Sequence, residues 1–176
     1  MKIDVEDLRK VISYFPCSGR FFWKVRSIDY FKTEKDMNTW NTRFSGKETM
    51  LQIHNNGYMC GRVFGKNVYA HRAAFAIIKG FWPNEIDHIN GNKTDNRIEN
   101  LRDVSHSQNH MNMPVRRGSI SGQPGVSKCK NRWYVRIMTP DGDKKIGIFD
   151  DLVDAIKARK DAEIEYGYHE NHGRTQ

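Results

Sequence analysis

The sequence predicts an α+β protein, with short alternating helices and strands in a larger first part and a small three-strand-plus-helix domain at the C terminus. Three observations predict this class. Turn signals rich in Asn, Gly and Pro divide the chain into short segments, apolar residues recur at both helix and strand spacing, and a Pro/Gly/Ser-rich stretch separates two regions of different composition. The predicted regions are an N-terminal helix and strand region (1–56), a central core (57–113), a linker (114–124), a C-terminal domain (125–167) and a loose tail (168–176).

The N-terminal region is predicted to begin with a helix over residues 4–15. Acidic residues in the first turn favour a helix N terminus, and Pro16 stops the helix. Its predicted apolar face consists of Val5, Leu8, Val11, Ile12 and Phe15. Residues 20–26 then predict a strand, whereas the polar stretch 27–48 yields no predicted element.

The central core is predicted to start with a hairpin, because an Asn-Asn-Gly turn joins apolar strands over residues 50–54 and 58–63. A strand over 67–70 then leads into a helix over 71–79, and Gly80 ends that helix. The following block is rich in Asn and His and poor in apolar residues. Within it we expect a tight turn in a hairpin-like loop near Asn90 and Gly91, then a short helix from about residue 106 to 113, capped by Ser105.

The C-terminal domain is predicted to contain three strands and one helix. The strands cover residues 125–130, 132–139 and 144–149, with a Pro-Asp-Gly-Asp turn between the last two. Asp150 or Asp151 caps the helix, and Gly167 ends it. The apolar face of this helix is predicted to consist of Leu152, Ala155, Ile156 and Tyr166.

Composition limits the class of partner. The 176 residues contain 29 Lys and Arg against 21 Asp and Glu, so the formal net charge of +8 favours a polyanion. No apolar run has the length of a membrane span, the first residues do not resemble a signal peptide, and three separated cysteines without a CxxC pair argue against a zinc ribbon. We therefore expect a cytoplasmic protein with no membrane partner.

The Asn/His block brings together the groups that phosphodiester hydrolysis needs. His88 can act as a general base because an unperturbed imidazole titrates near neutral pH. Asp87 and Asn109 offer hard oxygen atoms, which suit one divalent cation such as Mg²⁺ or Mn²⁺ better than zinc. Asn100 could form a hydrogen bond with the backbone or with the imidazole, and so orient His88.

Three segments of this block resemble an HNH nuclease of the phage and homing-endonuclease type. They are IDHINGN at 86–92, DNRIENLR at 95–102 and SQN at 107–109. The preceding segments YAHR at 69–72 and GFWP at 80–83 are also similar to what precedes the motif in that family.

The resemblance implies a ββα-metal site. Asp87 and Asn109 would ligate the cation, His88 would be the general base and Asn100 the central Asn of the motif. The last motif position is often His in the family, so His110 is the alternative ligand; adjacent helical residues differ by about 100° and cannot both face one ion. For His71 and Arg72, a contact with phosphate beside the site and a purely structural role both remain open, and His106 is expected to have a solvent-facing or structural role.

The C-terminal domain is the second place where the sequence predicts DNA contact. A strand that alternates Arg132, Tyr134 and Arg136 on one face turns Trp133 towards the helix and leaves the basic face for DNA. The full predicted contact set here is Arg116, Arg117, Lys128, Lys130, Arg132, Tyr134 and Arg136. The Gly, Trp, Arg and Ala positions over 124–167 resemble an AP2/ERF-type DNA-binding domain, which implies double-stranded DNA as the partner.

Together these observations predict a metal-dependent DNA endonuclease of the phage or homing HNH type, located in the host cytoplasm if a phage encodes it. Two alternatives remain: a DNA-binding regulator with an inactive HNH fold, and a general nuclease without sequence preference. The target sequence, nicking versus double-strand cleavage, and monomer versus homodimer are left open. For residues 27–48 the sequence predicts no role beyond that of a DNA-facing loop, and their role is left open.

Overall fold

The computed structural model describes residues 3–105, 109, 115–170 and 172–173. The protein mixes helices and short antiparallel sheets, which confirms the α+β class. The chain divides into two compact units, Met1–Asp103 and Val104–Gln176. In the described ranges, no helix combines the length and the apolar character needed to cross a bilayer.

The first part of the chain consists of short elements. In chain order they are α1 (Val5–Val11), β1 (Ile12–Phe15), β2 (Arg20–Trp23), a 3-10 turn (Ile28–Tyr30), α2 (Glu34–Phe44), β3 (Glu48–Thr49), β4 (Gln52–Ile53), β5 (Met59–Val63), β6 (Lys66–Tyr69), α3 (Ala70–Lys79), β7 (Glu85–His88), a 3-10 turn (Ile98–Asn100) and β8 (Leu101–Val104). The sheets have the orders β1-β2-β3, β4-β5-β6 and β7-β8. Apolar side chains of α1, β2, β5 and α3 form their common core.

The predicted helix over residues 4–15 is wrong in its second half. The helix begins at Val5 after Asp4, whose carboxylate accepts from the Glu6 N–H, and it ends at Val11. The next four residues form β1, which pairs antiparallel with β2. The apolar spacing of residues 12–15 fits both a helix and a strand. These residues form a strand because they pair with β2 and because β-branched and aromatic residues suit a sheet.

The stretch 27–48, for which the sequence yields no element, contains α2. Thr33 caps this helix by accepting from the Asp36 N–H. The helix buries no residue completely. Trp40 packs against Trp23 of β2, and the Asn41 side chain forms two hydrogen bonds with the Arg26 backbone. The apolar residues of α2, Met37, Trp40 and Phe44, recur at helical spacing, but they are few among polar residues, so the sequence signal is weak.

The hairpin, strand and helix predicted before the Asn/His block are present, with shorter strands. β5 pairs with β4 on one side and β6 on the other. Gly57 takes the positive φ of 85° that the predicted turn requires, and Gly80 ends α3 in the left-handed conformation. The predicted strand over 20–26 is confirmed only as far as Trp23.

The C-terminal unit contains the three predicted strands and the helix, as β9 (Val126–Cys129), β10 (Arg132–Thr139), β11 (Gly142–Phe149) and α4 (Leu152–Glu165). The sheet order is β11-β10-β9, and Val126, Val135 and Ala155 form the buried centre. Trp133 packs against this centre, as the strand alternation predicts. The predicted apolar face of α4 is only partly correct, because its buried residues are Ala155, Arg159 and Ala162.

The segments on either side of this sheet and helix belong to the same compact unit and contact its strands. In the predicted linker, the Ser121 hydroxyl donates to backbone oxygens of Gln123 and Val126. In the predicted loose tail, the Tyr168 hydroxyl donates to the Met138 oxygen, and His172 packs edge-on against the Tyr168 ring. The described part of the tail is therefore held in place, contrary to prediction. The domain boundaries at 56, 113, 124 and 167 stay predictions.

Candidate active site

Asp87 and His88 end β7, a strand whose last three residues are buried. Burial of an Asp-His pair is costly unless the polar atoms find partners, so neighbouring elements must supply them. Successive side chains of a strand point to opposite faces, which gives the two residues different surroundings.

The partner of the Asp87 carboxylate is Arg102 of the neighbouring strand β8. Nε and Nη2 of Arg102 both donate to Oδ2 of Asp87, at 2.9 and 2.6 Å. The Asp87 side chain is 8 % exposed and the Arg102 side chain 31 % exposed. This charge-assisted pair offsets the cost of burying the carboxylate.

His88 belongs to a cluster of rings. His71, in the first turn of α3, lies with its ring centroid 5.1 Å from that of His88. The Tyr58 ring contacts both imidazoles, at centroid distances of 4.7 Å from His71 and 5.6 Å from His88. Among the described residues, Nδ1 of His71 is buried without a hydrogen-bond partner.

Burial lowers the pKa of both imidazoles. For His71, loss of solvent is the largest cause, repulsion from His88 and Arg72 adds to it, and the pKa falls to about 3. For His88, burial again dominates, while the Asn96 amide, Asp87 and Asp95 act in the opposite direction. Both rings are therefore neutral at pH 7, the form in which a ring nitrogen can accept a proton.

Asn100 fixes the loop that follows His88. Its side-chain oxygen accepts from the Asn90 N–H at 2.9 Å, and its side-chain nitrogen donates to the Asp95 backbone oxygen at 2.9 Å. The backbone oxygen of Asn100 also accepts from the Ile89 N–H. Of the two contacts left open by the sequence, the structure shows the one with the backbone.

Asp95 gives this loop a second anchor. Its carboxylate receives two N–H bonds from the Arg97 guanidinium and one from the Asn90 amide. These bonds, led by those from Arg97, lower the Asp95 pKa to about 2. The loop is thus held by polar contacts instead of by an apolar core.

The Arg72 guanidinium forms two hydrogen bonds with backbone oxygens. Nη1 and Nη2 donate to the oxygens of Asn84 and Pro83, at 2.9 and 2.6 Å. These bonds tie α3 to the segment that enters β7. A contact of Arg72 or His71 with phosphate stays a prediction.

Asn109 lies in the second compact unit, in helical conformation, and its N–H donates to the Ser105 oxygen at 3.0 Å. Its assignment as a metal ligand stays a prediction. The alternative ligand His110 and the neighbouring His106 lie outside the described residues.

The side-chain oxygens of the two predicted metal ligands, Asp87 and Asn109, are of the kind that binds a hard cation. A buried carboxylate and an amide oxygen suit Mg²⁺ or Mn²⁺. In the ranges described, no group of three or more His, Cys, Asp or Glu side chains could hold a metal ion. A cation at Asp87 would have to share the carboxylate with Arg102 or displace the Arg102 guanidinium.

Two of the predicted DNA-contact arginines in the C-terminal unit form ion pairs. Nε of Arg132 lies 2.7 Å from Asp150, and Nη1 of Arg136 lies 3.1 Å from Asp143. Lys128 and Lys130 are exposed, as are Arg116 and Arg117, and Tyr134 is partly exposed. DNA contact by this set stays a prediction.

Three residues around the site are not predicted from the sequence to contribute to it. They are Tyr58, which touches both imidazoles; Arg102, which pairs with Asp87; and Asn96, which is buried beside Met59. Arg102 lies inside the resembling segment, so its position in the strand after Asn100 was the available clue. Nothing in the sequence distinguishes Tyr58 from other aromatic residues.

A buried Asp-His pair at a strand end, followed by an amide-braced loop, defines a candidate hydrolytic site. Residues 68–111, which contain this site, match a family model described as an HNH endonuclease. This match supports an HNH nuclease region in well under half of the chain. No curated protein and no solved structure gives a significant match.

Proposed function

We propose that this chain is a metal-dependent DNA endonuclease of the phage or homing HNH type, which hydrolyses phosphodiester bonds. One observation carries the proposal: Asp87 and His88 are buried together on β7, inside the region that matches the HNH endonuclease family, and Asn100 braces the loop after them. A purely structural strand end would gain nothing from a buried carboxylate beside a buried imidazole.

His88 is assigned the role of general base. It takes a proton from the attacking water, because a neutral imidazole is available at pH 7. Tyr58 and His71 limit the positions that its ring can take. Asn100 acts indirectly, since its contacts fix the backbone that continues from His88.

Asp87 and Asn109 are assigned to hold the cation, Mg²⁺ or Mn²⁺. When bound, such an ion stabilises negative charge on the phosphate and on the departing oxygen. Arg102 orients the Asp87 carboxylate through two N–H bonds to one oxygen.

The C-terminal unit is assigned to bind the double-stranded DNA target in the manner of an AP2-like domain. The exposed basic residues of its strands and of the preceding segment support this role. Contacts of Lys and Arg with phosphates would give affinity that falls steeply with salt.

A plasmid-cleavage assay of the full chain tests the proposal. We expect His88→Ala to lower the cleavage rate in Mg²⁺ at least about 100-fold, because the general base is removed. Binding of the same plasmid should stay near that of the native chain. EDTA should abolish cleavage by the native chain.

The control variant is His54→Ala, which removes an exposed imidazole from the same compact unit. This variant should cleave at the native rate. Undiminished cleavage by His88→Ala, or cleavage that EDTA does not affect, would refute the assignment.

One observation favours a second candidate, a DNA-binding regulator with an inactive nuclease region. The Asp87 carboxylate is already paired with Arg102, as it would be in a site that binds no metal. If the native chain binds DNA but does not cut it with Mg²⁺ or Mn²⁺, this candidate replaces the first.

A further inference from the structure

The C-terminal unit contains a groove of about 760 Å³ that the proposed chemistry does not explain, and three residues of the predicted DNA-contact set, Arg116, Arg117 and Arg136, belong to its lining. This volume lies in the range of small-molecule sites. Segments before β9, the strand β10 and the helix α4 all contribute to its lining. The charged residues that line it include Arg116, Arg117, Arg136, Asp143 and Arg159.

Arg159 is the unusual member of this lining because it is only 2 % exposed. Its Nε donates to the Pro124 oxygen at 2.8 Å and lies 3.1 Å from Glu163. Its Nη2 lies 3.3 Å from Nε2 of His172, and its guanidinium lies against the Tyr168 ring. Four neighbours therefore hold one buried cation in a single orientation.

The remaining nitrogen, Nη1 of Arg159, is buried without a hydrogen-bond partner among the described residues. A buried guanidinium N–H without an acceptor is unfavourable, because it has lost water and gained nothing in return. The guanidinium that carries this atom belongs to a residue that lines the groove, and it has a donor left to offer an acceptor there.

The charge of the groove favours an anionic acceptor. Four arginines and one carboxylate, that of Asp143, line the groove, and Glu163 contacts Arg159 without belonging to the lining. Glu163 already accepts from the Gln123 amide in addition to its contact with Arg159. Arg116 and Arg117 are exposed at the groove, and in the described part of the chain neither forms an ion pair.

The backbone is shaped around Arg159. Gly125 has a φ of +76°, and a Cβ at this position would lie 2.8 Å from Nε of Arg159 and 2.4 Å from the Arg136 oxygen. Only glycine permits this close approach of the chain to the guanidinium. The orientation of Arg159 is thus set before any ligand arrives, which lowers the entropic cost of binding.

We propose that this groove binds a phosphate-type oxyanion, with Arg159 as the buried anchor and Arg116 and Arg117 closing on the ligand from the surface. The planar fork of arginine matches the oxygens of a phosphate better than lysine does. The ligand is either a backbone phosphate of DNA or a free phosphate or nucleotide. With DNA as the ligand, the site extends the proposed DNA-binding role of this unit and rests on it; with a free phosphate or nucleotide, it is independent of the proposed function.

Titration of the ¹⁵N-labelled full chain with inorganic phosphate tests the site. We expect the Nε–Hε resonance of Arg159 and the amides of Ser119 and Gly125 to shift in a saturable way. The double variant R116Q/R117Q should weaken binding at least about tenfold, because two charge-assisted contacts are lost. Arg159→Lys, which keeps the charge and loses the fork, should weaken it similarly.

The matched control is K157Q/K160Q, which removes two positive charges from exposed positions of α4 that do not line the groove. It should change phosphate affinity less than about twofold. Because Arg159→Lys could fail to fold, R116Q/R117Q decides the outcome. Absence of saturable shifts in the native chain, or equal phosphate affinity in R116Q/R117Q and the control, would overturn the proposal.

A second arm identifies the source of the phosphate. If the ligand is DNA, R116Q/R117Q should reduce the salt dependence of duplex binding by about one to two phosphate contacts relative to K157Q/K160Q. If phosphate binding is lost while that salt dependence is unchanged, the ligand is a free phosphate or nucleotide. Cleavage of plasmid by the same variants is measured separately and reports only on the nuclease function.

Discussion

Asn100 uses both polar atoms of its side chain inside the loop that follows Asp87 and His88. The side chain is buried, and its two contacts lie on opposite sides of that loop, at the Asn90 N–H and the Asp95 oxygen. An aspartate would keep the acceptor and lose the donor, and an alanine would lose both. The identity of this one amide therefore fixes how the loop is closed.

We expect Asn100→Ala to lower the free energy of unfolding by about 2 kcal/mol, because the buried Asn100 side chain loses two part-buried hydrogen bonds to the backbone. Cleavage should fall with it, since the backbone after His88 loses its brace. Urea unfolding and the plasmid assay, on the same preparation, measure the two effects.

The control for this prediction is Asn92→Ala in the same loop. Asn92 is exposed, and its side-chain oxygen accepts only local bonds from Thr94. Its replacement should cost less than about 1 kcal/mol. Equal losses of stability in the two variants would show that Asn100 has no special role in the loop.

The sequence identifies residues whose side-chain chemistry is distinctive. It does not identify residues whose importance comes from a contact with another element. Asp87, His88 and Asn100 stand out because their types and spacing suit hydrolysis. Tyr58 and Arg102 cannot be found in this way, because their importance comes from a ring contact and an ion pair across separate elements. The role of Arg159 is hidden for the same reason: only its burial distinguishes it from other arginines.

At the scale of elements, the β1–β2 hairpin supports the loop of the candidate active site. The Tyr14 hydroxyl donates to the Asn96 oxygen at 2.7 Å, and the Ile98 N–H donates to the Pro16 oxygen at 3.2 Å. The turn of the hairpin contains Gly19, and a Cβ there would lie 2.7 Å from backbone atoms of Asn96 and Arg97. The hairpin and the loop thus meet backbone to backbone.

We expect Gly19→Ala to destabilise the protein by about 2 to 4 kcal/mol, from a strained positive φ plus a clash with backbone that cannot rotate away. Gly46→Ala separates these two causes. Gly46 has a similar φ of +75°, and a Cβ there meets nothing within 4 Å. The control should therefore show only the strain, about 1 to 2 kcal/mol.

Urea unfolding of both variants measures the difference, and the plasmid assay shows whether the displaced loop also lowers cleavage. If Gly19→Ala and Gly46→Ala cost the same, the hairpin does not support the loop.

The elements that the sequence predicts well are those bounded by turn residues. Gly57, Gly80 and Gly142 take positive φ values where a turn or a helix end is predicted, and the adjoining strands and helices follow. The errors occur where local signals are ambiguous or absent. Residues 12–15 fit a helical apolar face until β2 pairs with them, and α2 has only three partly buried apolar residues among polar ones.

The excess positive charge of the molecule could favour DNA binding in two ways, through the net charge or through a few local contacts with phosphates. A uniform effect of the net charge of +8 and a local effect of a few contacts make different predictions. Variants that remove the same charge from different places distinguish the two. The exposed lysines of the C-terminal unit provide such a pair of variants.

We expect the double variant K128Q/K130N to reduce the slope of log affinity for duplex DNA against log salt by about two, because two phosphate contacts are lost. Asn at position 130 tolerates the φ of +54° found there. The control K157Q/K160Q removes the same charge from exposed positions of α4 and should leave the slope nearly unchanged.

At saturating protein, the cleavage rate of K128Q/K130N should equal the native rate, since the proposed catalytic groups are intact. Equal slopes for the two double variants would mean that net charge, and not the strand β9 and its turn, governs DNA binding.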